Sequence, residues 1–218
     1  MKLDSGATIE TYTGLQFHIL EPRPEEVNIT DIAHALSMQC RFTGHTKFHY
    51  SVAQHSFLAS FLVPPQFQLE ALLHDASEAY IGDMSRPLKH FSECGRLYLE
   101  IEAKIEAVIK KKFGLPPTMS PEVKEADNSL LYAEKKALMK PCDWTDTWGK
   151  YKEIDVEIES WEPRYAEAQF LRRYNQLWTN CYLSRYATSP APTPNPISKP
   201  CKKALRLDFA APALSDLT

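Results

Sequence analysis

A predominantly helical bundle with one small β-hairpin is the fold this sequence predicts, and three observations predict it. From Asn28 onward, apolar residues recur at intervals of three and four, the spacing of one helix face. Prolines and glycines stand at the ends of these runs, as at Pro64-Pro65, Gly82, Gly114, Pro121, Pro141 and Pro163. The opening instead places two β-prone stretches, 8–13 and 15–20, on either side of Gly14, which reads as a hairpin.

The helices follow in order. Asn28 is a candidate N-cap for a helix with Ile29, Ile32, Ala33 and Leu36 on one face. A second helix is expected over 51–63, stopped by Pro64-Pro65. A third, over about 66–81, carries Leu69, Leu72, Leu73 and Ala76 inward and ends at Gly82. The fourth covers 95–113 with Leu97, Ile101, Ile105, Val108 and Ile109 as its buried stripe, and Gly114 closes it. Ser120 and Pro121 form an N-cap and N1 pair for a helix running to about 140, where Pro141 stops it. Glu162-Pro163 opens the last helix, through about 186, with Tyr165, Leu171, Tyr174 and Trp178 as anchors. The four tryptophans (Trp144, Trp148, Trp161 and Trp178) are expected to pack this C-terminal layer. Beyond it SPAPTPNPISKP favours an extended polyproline-like strap, with Leu205, Leu207, Phe209 and Leu214 as apolar anchors. The chain thus divides into a domain, 1–186, and a Pro-rich tail, 187–218.

Bulk composition narrows the function classes. A chain of 218 residues with 44% hydrophobic content has material for one core. No apolar run approaches the roughly 18–20 residues that cross a bilayer, and MKLDSGATIE has no signal-peptide pattern, so no membrane partner is expected. A net charge of −3 argues against a bulk nucleic-acid binder. Five scattered cysteines (Cys40, Cys94, Cys142, Cys181, Cys201) without CxxC spacing read as reduced thiols of a cytoplasmic protein.

Chemistry concentrates in ALLHDASEAYIGD, residues 71–83. His74 and Asp75 are expected near the middle of an apolar helix, with Glu78 one turn on and Asp83 just past its end. A charged Asp beside Leu72-Leu73 is costly to bury unpaired, and a divalent cation bound by imidazole and carboxylate would neutralise it. The dipeptide alone fits a partly exposed helix edge equally well. His55, on the preceding helix, by itself reads as a satisfied boundary histidine, and Asp127 by itself as an acid favoured by a helix N-terminus. Together, on three helices, they compose a two-His, two-carboxylate set that leaves positions open for water and phosphate oxygens.

Three segments, CRFTGHTKFHYSVAQHS, ALLHDASEAYIGDMSRPLKH and VKEADNSLLYAEKKAL, resemble the HD-domain metal-dependent phosphohydrolases, specifically their 5′-deoxynucleotidase-like and deoxynucleoside triphosphohydrolase members. The similarity spans roughly residues 8–140 and implies an HD-domain helical bundle. It implies one divalent metal ion (Co, Mn or Mg) on His55, His74, Asp75 and Asp127, an acid pair at Glu78 and Asp83, and a phosphate-contacting Arg41. His45, Lys47 and Lys89 are further candidates for phosphate, with solvated loop charges as the alternative. Phe42 stands where some members have Trp, so base and sugar contacts are not carried over. His18, His34, His49 and His90 read as structural. The implied substrate is a nucleotide, with adenine deoxynucleotides favoured on family grounds, cut at the 5′-phosphoester by water attack on the α-phosphorus. Phosphate, diphosphate and triphosphate are then equally competent leaving products, and self-association is common among relatives. Two other readings stay open: a phosphodiesterase of a cyclic or dinucleotide signal, disfavoured because only His90 follows the His-Asp pair, and a non-catalytic nucleotide sensor.

Overall fold

The computed structural model describes residues 7–141 and 151–187, and within them the backbone is mainly helical with one two-stranded sheet. Strands β1 (Thr8–Glu10) and β2 (Gln16–His18) pair antiparallel, with Ile9 opposite Phe17. Gly14, at φ +79°, supplies the left-handed residue of the turn. The hairpin is tied to helix α1 (Ile29–Met38) by Asp31, which accepts from the Thr13 amide at 2.7 Å and from the Thr11 and Thr13 hydroxyls. Asn28 caps α1 as expected, its side chain accepting from the Thr30 amide at 2.9 Å.

Helix α2 (Val52–Ala59) is capped by Ser51 and ends four residues before the expected stop at residue 63. The helix expected over 66–81 is broken. Helix α3 (Gln68–Leu72) and helix α4 (Glu78–Ile81) are separated by tight turns, in which Ala76, Glu78 and Tyr80 donate to the carbonyls three residues back. His74 and Asp75 therefore occupy a turn rather than a helix interior. Helix α5 (Arg86–Phe91), which the sequence reading did not anticipate, leads into α6 (Glu93–Phe113), capped by Ser92 and closed by left-handed Gly114. Gly95 is required where α6 passes α5, since a Cβ there would lie 2.2 Å from the Lys89 carbonyl oxygen. Helix α7 (Pro121–Leu138) has Ser120 at its N-cap position, but the Ser120 hydroxyl donates to buried Glu70 instead of capping. Helix α8 (Pro163–Ala187) is the last described element.

The core joins α1, α2, α3 and α8 around Phe17, Ile32, Leu36, Leu72, Ile105 and Phe170, all fully buried. Each such side chain contributes about 1.5–3 kcal/mol by leaving water. A smaller apolar cluster, Val63, Ala71, Val123 and Ala126, docks α7 onto α3 and the end of α2. Some expected anchors face out: Leu97, Tyr165 and Trp178 are exposed, whereas Tyr174 is buried and Leu171 and Trp161 pack at the core's edge. Trp178 still stacks on Tyr174. Cys40 and Cys94 are free thiols. Trp144, Trp148, Cys142, Cys201 and the tail with its four anchors lie outside the described residues, as does the Cys181 side chain. Among the described residues no helix is long and apolar enough to cross a membrane.

Candidate metal centre

Three chain segments deliver their polar atoms to one point. α2 brings His55, fully buried; the turn after α3 brings His74 and Asp75; α7 brings Asp127 from the opposite side. His55, His74 and Asp75 offer ligand atoms within 4.8 Å of one another. The two Nε2 atoms are 3.2 Å apart. Asp75 Oδ2 lies 3.2 Å from His74 Nε2 and 3.7 Å from His55 Nε2, and Asp127 Oδ1 lies 3.2 Å from His55 Nε2 and 3.7 Å from His74 Nε2.

The outer nitrogens show why these atoms face inward. His55 Nδ1 donates to Glu134 Oε1 at 2.6 Å, and His74 Nδ1 donates to the Ala71 carbonyl at 2.8 Å. Neither acceptor can donate in return, so Nδ1 carries the hydrogen and Nε2 is the free atom of each neutral ring. The Ala71 carbonyl is the acceptor that the amide of residue 75 would take in a continuous helix. The break in the helix and the orientation of His74 are thus one event.

Four lone-pair-bearing atoms at these separations repel unless protons or a cation sit among them. In the metal-free protein the imidazoles take the protons. Burial opposes this, but Asp75 and Asp127 carry His74 up to about 10. His55 is raised too, burial and Arg41 being outweighed by Glu134 and Asp127. Burial likewise works against the Asp127 charge, yet the two imidazoles hold it well below the usual carboxylate range. Donor atoms on a tetrahedral ion with bonds near 2.0–2.1 Å stand about 3.3 Å apart, as the two imidazole nitrogens nearly do from each other and from each carboxylate, whereas Asp127 falls outside the group of His55, His74 and Asp75, whose ligand atoms all lie within 4.8 Å of one another.

The surrounding groups divide into a wall and a mouth. Arg41, buried in the wall, points Nε at Glu134 Oε2 (3.2 Å) and Nη1 at Asp75 Oδ2 (3.4 Å), so two of its donors are engaged inside the protein. Burial weighs against its charge, but Glu134 and Asp75 reinforce it. Arg41 precedes a strained turn in which Phe42 and Thr43 both have φ 54°. At the mouth Glu78 is 7% exposed and its Oε2 has no partner among the described residues. Burial, then the nearby Asp75 and Asp83, push Glu78 well above the ordinary carboxylate range. Desolvation raises Asp83 as well, with Arg41 partly offsetting it.

Gln39, which the sequence reading passed over, clamps this acid pair: its amide donates to the Glu78 carbonyl and accepts from the Asp83 amide. Tyr98 donates to the Gly82 carbonyl between them at 2.6 Å. Lys89 pairs with Glu102 at 2.8 Å, close enough to Glu78 and Asp75 to feel their charge. Lys47 is placed elsewhere, its ammonium on the Ala137 carbonyl at the end of α7, and His45 is exposed after the strained turn. His18, His34 and His49 make structural bonds to Glu26, Glu167 and the Ser37 carbonyl. Glu134 and Tyr50 were also missed. Glu134 shares the buried stripe of α7 with Leu130 and Leu138, and a carboxylate on an apolar stripe was the available signal. A groove of about 890 Å³ along α8, beside Leu171, Arg173 and Gln176, includes none of these residues.

No family model matches the chain. Among characterised sequences it is 28% identical over 135 residues to a 5′-deoxynucleotidase of Pasteurella multocida, covering 61% of this chain and 65% of that one. It is 36% identical over 123 residues to an uncharacterized protein of Rhodobacter capsulatus, 52% of this chain and 62% of the relative. The similarity to the uncharacterized Escherichia coli K12 protein YfdR is more extensive, 40% identity over 173 residues, 78% of this chain and 94% of YfdR. At that identity, over nearly the whole of the relative, the chain belongs to the YfdR family.

Proposed function

We propose that this chain is a metal-dependent phosphohydrolase of the HD type that cuts the 5′-phosphoester of nucleotides. One observation carries the reading: Asp75 and Asp127 each lie 3.2–3.7 Å from the Nε2 atoms of His55 and His74, with an acid pair beside them. The named activity of the Pasteurella relative supports the substrate class. The four residues would hold one divalent cation, which when bound supplies Lewis acidity toward a phosphoryl oxygen and acidifies water.

The chain's own residues do the rest. Arg41 has five donors, of which two are engaged by Glu134 and Asp75, leaving others to meet a phosphate oxygen. Lys89 adds positive charge on the Glu78 side. Glu78, whose buried carboxyl favours the protonated form, is suited to give its proton to the departing 5′-oxygen, and Asp83 to take one from the attacking water. Water's oxygen bonds to the phosphorus, the bond to the 5′-oxygen breaks, and nucleoside leaves with phosphate, diphosphate or triphosphate. A panel of deoxy- and ribonucleoside mono-, di- and triphosphates, assayed with Mg²⁺, Mn²⁺ and Co²⁺ for released nucleoside, tests this. Release that EDTA abolishes is expected. Tight nucleotide binding without release under every metal would replace the enzyme with a sensor.

A further inference from the structure

Glu134 is a fully buried carboxylate. Its two oxygens take three donors from three separate segments. Oε1 accepts from Tyr50 Oη at 2.7 Å and His55 Nδ1 at 2.6 Å, and Oε2 accepts from Arg41 Nε at 3.2 Å. Those segments are the stretch before α2, α2 itself, and the stretch that follows α1. Backbone bonds already tie the first and last of these, the Arg41 amide donating to the Tyr50 carbonyl at 2.9 Å, and the Glu134 carboxylate joins their side chains to His55.

We propose that Glu134 is the positioning residue of the metal centre, fixing His55 as the Nδ1–H tautomer with Nε2 turned inward and holding Arg41 against Asp75. The inference rests on the metal-site reading above. A buried anion with a single imidazole partner would set one ring. Here the same anion also anchors the guanidinium whose other arm reaches Asp75 Oδ2, so one residue orders a ligand on each side of the site. Tyr50, kept a phenol by burial and by Glu134 itself, satisfies the second lone pair of Oε1 and helps fix the carboxylate plane.

Two variants and three readouts test it. Mn²⁺ affinity is measured by calorimetry and the Co²⁺ absorption spectrum recorded for the wild type, Glu134→Gln and Glu134→Asp, alongside each metal-free Tm. Glu134→Gln keeps the shape but turns a donor toward Arg41 or His55. Glu134→Asp keeps the charge but withdraws it by one methylene from His55. Positioning predicts that both lose about 10–100-fold in Mn²⁺ affinity, the usual consequence of removing a ligand's hydrogen-bond partner, and shift the Co²⁺ spectrum. If Glu134→Asp binds Mn²⁺ like the wild type with an unchanged spectrum, only charge balance is needed and positioning is overturned. A lower metal-free Tm with unchanged metal affinity in either variant overturns it as well, since that is a purely structural role. If the wild type binds neither Mn²⁺ nor Co²⁺, the metal-site reading itself falls, a result distinct from both. Should Glu134→Gln fail to fold, the Asp variant alone decides.

Discussion

His55 and His74 present the same atom to the same point, but they are held by unlike means. His74 lies in a turn and is oriented by a backbone carbonyl three residues back. His55 lies on a helix and is oriented by a carboxylate 79 residues further along the chain. The first support is local and forms as the chain turns after α3. The second exists only once α7 has docked on α3 and the segment after α2 through Val63, Ala71, Val123 and Ala126. The candidate metal site is therefore half built by local structure and half by tertiary structure, and the halves should respond differently to perturbation.

Asp75 sits between the halves, near His74 Nε2 and on Arg41 Nη1, so its loss should be the largest effect. Asp75→Ala is expected to abolish nucleoside release and to weaken metal binding beyond the about 10–100-fold of a supporting residue. Calorimetric titration with Mn²⁺ and the nucleotide assay check both. Full metal occupancy with normal turnover would remove Asp75 from the site and with it the symmetry between the two histidines.

Glu78 separates chemistry from coordination. Its carboxyl is buried beside the His74 half and has an oxygen without a partner among the described residues. Glu78→Gln should leave metal affinity intact and slow turnover by roughly 10²–10⁴-fold. An unchanged rate at saturating metal would transfer the proton role to Asp83.

The contrast between local and tertiary support also explains what the sequence disclosed. Caps and stops that act within a few residues were legible: Asn28 before α1, Pro121 at the first position of α7, Gly114 after α6. The four candidate ligands and the candidate acid pair stood out as residue types placed on, or just past the end of, three expected helices, and the family resemblance then singled out the same set. The break at 73–77 was not, because residues 66–81 contain neither Gly nor an interior Pro and their apolar spacing fits one helix. Its stabilisers, the His74 bond to Ala71 and the Gln39 clamp, are visible only in three dimensions. The partners of Glu134 were hidden for the same reason, although its place on the apolar stripe of α7 was a signal in the sequence. Leu97 and Tyr165 were misplaced because a stripe of apolar residues does not say how wide the covering neighbour is.

Protonation offers a gentler probe of the paired histidines. His74's folded value near 10 lies above its ordinary 6.5, and His55 is raised in the same direction. Protonation therefore favours the folded metal-free protein. That contribution is fully present below about pH 6.5 and fades as pH climbs through the folded value. The Tm of EDTA-treated protein should fall between about pH 6.5 and about 10 as this contribution is lost. Saturating Mg²⁺ should flatten the decline, because the cation takes the place the protons vacate. Parallel decline with and without Mg²⁺ would mean the cation does not bind among these imidazoles.

The smallest effect concerns the residue that bridges the two halves. Arg41 reaches Glu134 on the His55 side and Asp75 on the His74 side, and the turn after it runs through left-handed backbone at Phe42, Thr43 and Gly44. Glycine tolerates that conformation, but a β-branched threonine there is an outlier costing about 1–2 kcal/mol. The turn's own bonds, Gly44 amide to Arg41 carbonyl and His45 amide to Phe42 carbonyl, do not involve the Thr43 side chain. Thr43→Gly removes the Cβ clash, while the greater freedom of glycine in the unfolded chain takes back about 0.5–1 kcal/mol. The net should be a rise in Tm of about 1–4 °C for a chain of this size. Because the strained turn also fixes where Arg41 leaves the backbone, Mn²⁺ affinity should weaken slightly, by less than in the Glu134 variants. A fall in Tm would show that the turn is not strained. A rise with metal affinity untouched would show that the two halves are joined by Arg41's side-chain partners alone, with no help from the backbone that carries it.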